Sequence, residues 1–314
     1  MTKKVFLMRF FLGMFLFLSF QSIWSQAYAG LAIDNDLFFG KDYYYSSGVF
    51  LQYGYTKDPK AKPLTGVNLF SPIVPEKKKS VHWTLGQQIF TPIGRYDSVT
   101  KNMDYPFSGY LFLERSVFTH KKETQFWGWG VQIGLSGPPS LSKPLQNIYH
   151  KTVLRLPALS WVGAQAAGVH LAIKGQHTQA KTLAKKLHFS HQIQAQFGSH
   201  ITEGSLRTGI QWGLLDPLAF YGPPNTSAQS GWSTHLGIQL KYNLQDYNLS
   251  GSLFNDASTF TLPSNAFRNT IEAGIAYRNQ NWQFLAMAKA RSKDTPRQKY
   301  PRHEVMYLSV LKLF

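Results

Sequence analysis

The chain has 314 residues, with 33 Lys and Arg against 16 Asp and Glu, 43% apolar residues, 15% aromatic residues and no cysteine. It is too apolar for a disordered tail, and its 16% of charged residues lies below the proportion usual in soluble domains, about a quarter. The absence of cysteine excludes disulfide scaffolds, thiol nucleophiles and cysteine-ligated metal sites. The formal charge of +17 would suggest nucleic acid as a partner only in a cytoplasmic protein.

The N-terminal segment has the three parts of a secretory signal peptide. Three basic residues open it, an apolar run follows over 10–20, and residues 27–29 read A-x-A, the pattern of a cleavage site. An uncleaved membrane anchor is the alternative, but the run is shorter than the ~18–20 residues that span a bilayer. We therefore predict a signal peptide over 1–29 and one mature domain over 30–314. Removal of the three basic residues leaves 30 against 16 acidic residues, a charge of +14.

Beyond residue 30, apolar and polar residues alternate, which is typical of β-strands with two different faces. In segment 235–244, for example, Leu236 and Ile238 alternate with Gly237 and Gln239. The same alternation recurs, in chain order, in 31–36, 49–56, 82–90, 110–117, 125–135, 170–175, 188–197, 206–215, 270–277, 282–291 and 306–314. The segments that resemble strands number about thirteen, but bacterial single-chain barrels have even numbers of strands, so we predict about twelve.

A soluble β-sandwich would also alternate, but three observations favour a membrane barrel. The polar faces carry Gln, Asn, Ser, Gly and Lys where a soluble core would need apolar residues, and aromatic residues gather near segment ends, as in membrane girdles. The chain ends in an alternating strand closed by Phe314, although Lys312 interrupts its apolar face. The signal peptide directs the chain to export. We predict an all-β fold, a transmembrane antiparallel β-barrel of about twelve strands in the bacterial outer membrane.

A first cluster of polar residues follows the first predicted strand. It contains Asp34, Asn35 and Asp36, and then Asp42 and Ser46 at the start of the second strand. Carboxylate, amide and hydroxyl oxygens together suit a hard cation such as Ca²⁺. The alternative is that these are ordinary turn residues, since Asp and Asn are common in turns.

A second cluster contains Gln146 and His150, which lie four residues apart and would share one face of a short helix. Histidine is the natural general base near neutral pH, and a neighbouring Gln could orient its ring. The chain has ten His, so a surface histidine is the alternative.

A third cluster contains Gln87, Thr91, Asp104 and Ser108 among aromatic residues. For these residues a strand–turn–strand unit with girdle aromatics explains the pattern better than direct catalysis does. We therefore expect at most a supporting role for Asp104.

Five short motifs occur in order along most of the mature chain: Asn35-Asp36, D-x-Y-Y-S-S-G over 42–48, Q-Q-I-F-T-P over 87–92, D-x-P-F-S-G-Y over 104–110, and Gly137-Pro138 with Q-N-I-Y-H over 146–150 and Trp161 downstream. Together they resemble the outer-membrane lipid A deacylases that remove the 3-O-linked acyl chain, a family of twelve-stranded barrels. Ser46 stands where that family usually has Thr.

The resemblance implies Ca²⁺-dependent hydrolysis of a carboxylic ester, the 3-O-linked acyl or acyloxyacyl group of lipid A in lipopolysaccharide. It implies that His150 deprotonates a water molecule and that Asn35 and Asp36 hold Ca²⁺, which polarises the ester carbonyl. Ser46 and Gln146 would position the metal, the water or the substrate. A covalent Ser46 nucleophile paired with His150 is the alternative, but the family's frequent Thr and the metal favour water.

One departure from the family pattern concerns a carboxylate that follows the histidine by six residues, because this chain has Leu156 there. Asp34, Asp42 and Asp104 are the candidates to replace it. If none does, activity could be weakened. Two alternatives to the deacylase therefore stay open, a catalytically inactive barrel or passive pore and an outer-membrane phospholipase.

The positive charge has a natural partner in this setting. Lys and Arg cluster in loops and at strand ends, and the phosphates of lipid A bind Lys as a point charge. Basic loops lying on any anionic surface would give the same pattern. We expect lipid A as substrate, the outer membrane as environment, no nucleic acid partner and a monomer.

Overall fold

The computed structural model of the protein describes residues 27–57, 78–223 and 230–314. In this part, twelve antiparallel strands pair in chain order and the last pairs with the first, so the sheet closes into a barrel. The strands are β1 Ala27–Asn35, β2 Tyr44–Lys57, β3 Lys79–Thr91, β4 Ser108–Lys122, β5 Gln125–Ser136, β6 Gly168–Ala184, β7 Leu187–Gly198, β8 Ile201–Gly213, β9 Gly231–Asp246, β10 Phe267–Arg278, β11 Trp282–Ser292 and β12 Arg302–Leu313. The predicted all-β barrel is confirmed.

The helices lie in the connections. The described helices are α1 Ser142–Tyr149, which continues into a π-helical turn His150–Leu154, α2 Tyr247–Ser250, and the 3₁₀ turns Leu37–Phe39, Thr100–Asn102 and Pro138–Ser140. None of these helices is long and apolar enough to cross a membrane.

The outer surface of the barrel is apolar, as the alternation predicts. In β9, Leu236 is 63% exposed whereas the neighbouring His235 is 4% exposed and faces the lumen. Exposed apolar side chains also line up from strand to strand across the register. One such row contains Leu51, Leu85, Leu113, Ile133 and Leu171. An apolar band around a closed barrel with a polar interior is the signature of a barrel that faces lipid.

The first strand begins earlier than predicted, at Ala27. Tyr28 is almost fully buried and its hydroxyl contacts the ring of His82. The strand thus starts inside the predicted signal peptide over 1–29. That signal peptide stays a prediction, since residues 1–26 lie outside the described part of the chain.

The connection between β8 and β9 turns inward and fills part of the lumen. Side chains of the wall hold its backbone, because Arg207 Nη1 donates to the carbonyl of Phe220 at 2.6 Å and Gln192 Nε2 donates to that of Tyr221 at 2.9 Å. Residues of this inward loop, 214–223, also border a lumen cavity of about 550 Å³. The predicted strand over 206–215 therefore ends at Gly213. This loop narrows the lumen through which a passive pore would conduct.

The charges of the lumen are matched in pairs. The lumen-facing ion pairs include Lys174–Glu114, Arg207–Glu272, Lys241–Glu203 and Lys289–Asp34. Such pairs stabilise little beyond the cost of removing both groups from water. They satisfy polar groups inside the barrel.

Candidate active site

The candidate site lies on the outer side of the barrel wall. Gln88 and Phe90 of β3 border the lumen cavity, so Gln87 and Thr91 point outward, because successive side chains of a strand face opposite sides. Helix α1 packs on this outward surface, where Gln146 Nε2 donates a hydrogen bond to Thr91 Oγ1 at 2.8 Å.

Two further contacts seat the start of α1 on the wall. Gln87 Nε2 donates to the carbonyl of Ser140 at 2.7 Å. Gly109 of β4 lies so close to the helix that a Cβ there would be 2.1 Å from Ser142 Oγ. Only the absence of a side chain at Gly109 allows this approach. The segment 137–154 is therefore held against β3 and β4 at a fixed distance.

The local sequence explains why a helix forms here. Pro144 lies in the first turn of α1, where its missing N–H costs no helical hydrogen bond. The helix then widens into the π turn His150–Leu154, which is followed by Arg155 with a left-handed φ of 57°. Single π turns inside helices are frequent at functional sites. The polar residues Ser142, Gln146 and His150 are buried toward the wall.

His150 and Asp42 form the central pair of the site. Asp42 Oδ2 lies 3.2 Å from His150 Nε2 and 3.4 Å from Arg95 Nε. Arg95 Nη1 also donates to the backbone carbonyl of Asp42 at 3.1 Å. His150 is 1% exposed, and its Nδ1 has no hydrogen-bond partner. The Asp42–His150 contact is close, but its alignment falls short of a hydrogen bond.

Burial and charge act in opposite directions on this pair. Burial lowers the pKa of His150, while the Asp42 carboxylate raises it and Arg95 lowers it further, so that the pKa lies below its ordinary value. Burial raises the pKa of Asp42, opposed by the positive charges of Arg95 and His150. At neutral pH this favours an uncharged imidazole beside the carboxylate, the form that can accept a proton.

Asp36 is fully buried next to this pair. Its Oδ2 accepts a hydrogen bond from the backbone N–H of Tyr43 at 2.8 Å, and its own N–H donates to the carbonyl of Ser46 at 3.2 Å. Its other oxygen, Oδ1, has no partner. Burial raises the pKa of Asp36 to about 8, partly opposed by the Tyr43 N–H. A buried carboxyl with a free oxygen is a natural place for a cation.

The other predicted metal ligand, Asn35, already has a partner. Its Oδ1 accepts from the backbone N–H of Leu37 at 2.7 Å and so supports the 3₁₀ turn that follows. Ser46 lies at a β-bulge between Tyr45 and Ser47, and its hydroxyl is buried without a partner. A bulge inserts an extra residue and re-aims its side chain.

The unpartnered oxygens of the candidate site residues are of the kind that a hard cation binds. Asp36 Oδ1, Ser46 Oγ and Gln146 Oε1 are all buried oxygens without a hydrogen-bond partner. Ca²⁺ prefers carboxylate, amide and hydroxyl oxygens of this sort. Within 27–57, 78–223 and 230–314, no three His, Asp or Glu side chains form a metal-binding group. A cation here would therefore rely on Ser and Gln as well as on Asp36.

Asp104 has a different set of partners. Its Oδ2 accepts from the Tyr44 hydroxyl at 2.6 Å and its Oδ1 accepts from the N–H of Ile93 at 3.0 Å. The backbone N–H of Lys299 also points to it, at 3.4 Å. Asp104 thus links the β3–β4 connection to the start of β2 and to the β11–β12 connection at this end of the barrel.

Of the three carboxylates considered as replacements for the family's acid, Asp42 is the one in contact with His150. Asp34 faces the lumen, 3.5 Å from Lys289. Leu156, at the family's acid position, is 41% exposed. The carboxylate beside the histidine therefore comes from a different loop.

Sequence reasoning missed two contributors. Arg95 follows β3 in an irregular loop with no motif of its own, and only the fold reveals that it flanks Asp42. Thr91 was expected to belong to a strand–turn–strand unit, yet it holds Gln146. Its place in the Q-Q-I-F-T-P motif over 87–92 was the available signal.

A closed barrel with a lipid-facing exterior, which carries a buried histidine–carboxylate pair on its outer wall, belongs to the class of multi-pass outer-membrane β-barrel proteins. The family model described as "Outer membrane protein LpxR" matches residues 10–307, and the chain belongs to this family. Its location is the outer membrane. The resemblance predicted from the motifs is confirmed.

Comparison with solved structures agrees on the fold. LpxR from Salmonella typhimurium matches with a TM-score of 0.73 and 14% sequence identity, covering 92% of this chain and 100% of that chain. At this identity the similarity supports the fold alone.

Two autotransporter barrels are less similar. The beta domain of Bordetella BrkA has a TM-score of 0.47 and 8% identity, covering 92% of this chain and 97% of its own. The translocator domain of NalP from Neisseria meningitidis has a TM-score of 0.44 and 8% identity, covering 99% and 95%. At these TM-scores the two similarities support no conclusion about this chain. No curated protein sequence matches the chain.

Proposed function

We propose that this protein is a lipid A 3-O-deacylase, which hydrolyses the 3-O-linked acyl ester of lipid A in the outer membrane and acts as a monomer. Membership of the LpxR family supports a lipid A deacylase. The position of the pair on the lipid-facing side of the wall supports a substrate that resides in the membrane rather than one that enters the lumen.

The observation that carries the proposal is the Asp42–His150 pair with its free ring nitrogen. Because Asp42 lies beside Nε2, the ring is expected to carry its proton there, and Nδ1 keeps its lone pair. Nδ1 is buried and has no partner, so it is available to take a proton from a water molecule. Asp42 then stabilises the imidazolium that forms, as an orienting carboxylate does in other histidine-based sites.

Water is a better candidate for the nucleophile than Ser46. A serine nucleophile needs a hydrogen bond to its base, and the Ser46 hydroxyl makes no hydrogen bond in the structure. Ser46 instead offers an oxygen beside Asp36, whose N–H bonds to the Ser46 carbonyl.

The proposal includes dependence on Ca²⁺. When bound, Ca²⁺ would polarise the ester carbonyl and stabilise the oxyanion. Asp36, Ser46 and Gln146 have the unpartnered oxygens to hold it, and Asn35 keeps the turn beside Asp36 in place. Gln146 spans both functions, because its amide nitrogen anchors α1 to Thr91 while its oxygen remains free.

The test is hydrolysis of lipid A by purified protein, followed by mass spectrometry of the lipid with Ca²⁺ and with chelator. We expect loss of one acyl chain from the 3-O position with Ca²⁺, and intact lipid with His150→Ala. His191→Ala, on the outward face of β7, is the matched control and should retain activity. Intact lipid A with the native protein, or equal loss with His150→Ala, would refute the proposal. A parallel reaction with phospholipid separates a phospholipase from a lipid A deacylase.

A further inference from the structure

We propose that the exposed face of α1 and of the π turn inserts into the outer leaflet of the membrane, with its apolar side chains among lipid acyl chains. This surface, the α1 apolar face, consists of Leu141, Leu145, Ile148, Tyr149, Val153 and Leu156, which are 41% to 59% exposed. The proposal rests on the location of the barrel in the outer membrane and does not require the proposed hydrolysis.

The amphipathic pattern of α1 is reversed relative to a helix on a water-soluble protein. An ordinary surface helix buries its apolar stripe and exposes its polar one. Here Ser142, Gln146 and His150 repeat every four residues and are buried against the barrel, whereas Leu145 and Tyr149 lie on the exposed side. The polar stripe faces the wall and the candidate site. The apolar stripe needs an apolar environment outside the protein.

The barrel supplies that environment at the same place. The contacts of Gln146 with Thr91 and of Ser142 with Gly109 hold α1 on outward positions of β3 and β4. Farther along the outward rows of the same strands, Leu85 and Leu113 belong to the exposed apolar band of the wall. The α1 apolar face therefore continues the surface that already contacts lipid, and it is displaced from the wall by the thickness of one helix.

The charges of the segment around α1 indicate that it contacts lipids with anionic headgroups. Segment 137–167 contains no Asp or Glu, and its three basic residues, Lys143, Lys151 and Arg155, are all exposed. An apolar helical face bordered by Lys and Arg is the pattern of helices that lie in an anionic membrane interface. The lipid that fits this surface is one with acyl chains and an anionic headgroup. A second copy of the chain is less suited, because two such surfaces would bring like charges together.

The absence of cysteine from the chain makes the test direct. An environment-sensitive fluorophore is attached to Ile148→Cys, and separately to Val153→Cys, in the full-length protein reconstituted into phosphatidylglycerol–phosphatidylcholine vesicles. Quenching by lipids with brominated acyl chains measures immersion. Leu171→Cys, in the apolar band, is the immersed control, and Arg297→Cys, in the exposed β11–β12 connection, is the aqueous control.

We expect quenching at positions 148 and 153 of about half or more of that at position 171, as for a helix buried 5–10 Å into the interface. Replacement of Lys143, Lys151 and Arg155 by Gln should reduce this quenching in anionic vesicles and leave it unchanged in purely zwitterionic ones. Quenching at both positions no greater than at position 297 would overturn the proposal. Quenching that decreases as the protein-to-lipid ratio rises would also overturn it, because it would indicate a contact between copies of the chain. Neither readout depends on ester hydrolysis, so failure of the proposed activity would be seen separately.

Discussion

Asp42 Oδ2 lies 3.2 Å from His150 Nε2, although the two residues belong to connections on different strands, one between β1 and β2 and the other between β5 and β6. Leu156, on the same connection as His150, is exposed and has no carboxylate to orient the histidine. The orienting carboxylate therefore comes from a different connection than the histidine does, and Arg95 contacts it from a third connection, between β3 and β4.

Replacement of Asp42 by Asn should lower kcat for lipid A hydrolysis by about 100-fold or more while KM changes little, because the amide no longer fixes the imidazole tautomer or stabilises its charge. Steady-state kinetics on mixed micelles measure both constants. Asp256→Asn, an exposed carboxylate in the β9–β10 connection, is the control and should behave as wild type. Unchanged kcat in Asp42→Asn would remove Asp42 from the mechanism.

The pH profile should show an acid limb below the ordinary histidine pKa of 6.5. The pKa of His150 is lowered, so the base stays unprotonated, and active, to lower pH than a free histidine would, and activity falls only as pH drops through the pKa in the folded protein. Asp42 raises the pKa of His150, so Asp42→Asn should move the residual acid limb to still lower pH. Rates across a buffered pH series provide the check, and a limb above 6.5 would contradict the assignment of His150.

Gly109→Ala should displace α1 and reduce activity without unfolding the barrel. Its Cβ would lie 2.1 Å from Ser142 Oγ and 2.3 Å from Ser142 Cβ, so the helix must shift. A shift of about 1 Å can reduce a rate by about 100-fold. Gly175→Ala, where nothing lies within 4 Å, is the matched control. Heat-modifiable migration on gels reports the folded barrel, and wild-type activity in Gly109→Ala would show that the position of α1 does not matter.

Ca²⁺ should stabilise the native protein, and Asp36→Asn should abolish that effect. A cation that binds only the folded state adds about 2.7 kcal/mol to the free energy of unfolding at a concentration 100 times its Kd. Thermal unfolding with Ca²⁺, with Mg²⁺ and with chelator measures the difference. Asp34→Asn, two residues away and facing the lumen, should keep the Ca²⁺ response. An equal response in Asp36→Asn would place the cation elsewhere.

Removal of the inward loop should open the lumen. We expect the native protein to show little steady conductance in planar bilayers, and a variant with residues 215–222 replaced by a short Gly-Ser linker to conduct. The reason is that Leu218, Phe220 and Tyr221 pack in one buried cluster, and Phe220 and Tyr221 border the lumen cavity. Steady conductance by the native protein would instead revive the passive-pore alternative.

The barrel follows from sequence because its signal is local. Alternation within each segment sets which side chains face lipid, as for Leu236 and His235, and neighbouring strands pair in chain order. The ends of the strands are less predictable, because contacts with residues outside the strand decide where each strand ends. Gly213 ends β8 because the residues after it are held inside the barrel by Gln211 and Ser233.

The candidate site is predicted only in part for the same reason. The motifs identify His150, Gln146 and Asp36, which the fold brings to one region of the outer wall, but periodicity alone does not reveal that α1 lies outside rather than over the lumen. The choice of Asp42 among three candidate carboxylates depends on the course of a loop. Arg95 carries no motif at all, and its contact with Asp42 arises from the packing of two connections.

The position of His150 outside the wall changes what limits encounter with substrate. A reactant dissolved in the leaflet reaches the site by two-dimensional diffusion in the plane of the membrane, so its mole fraction among neighbouring lipids, and not its concentration in the bulk solution, sets the encounter rate. Dilution of lipid A with inert detergent or phospholipid should therefore slow the reaction even when the total amount of lipid A is constant. Crowding of the leaflet by lipopolysaccharide would, in turn, keep the site saturated in the native membrane.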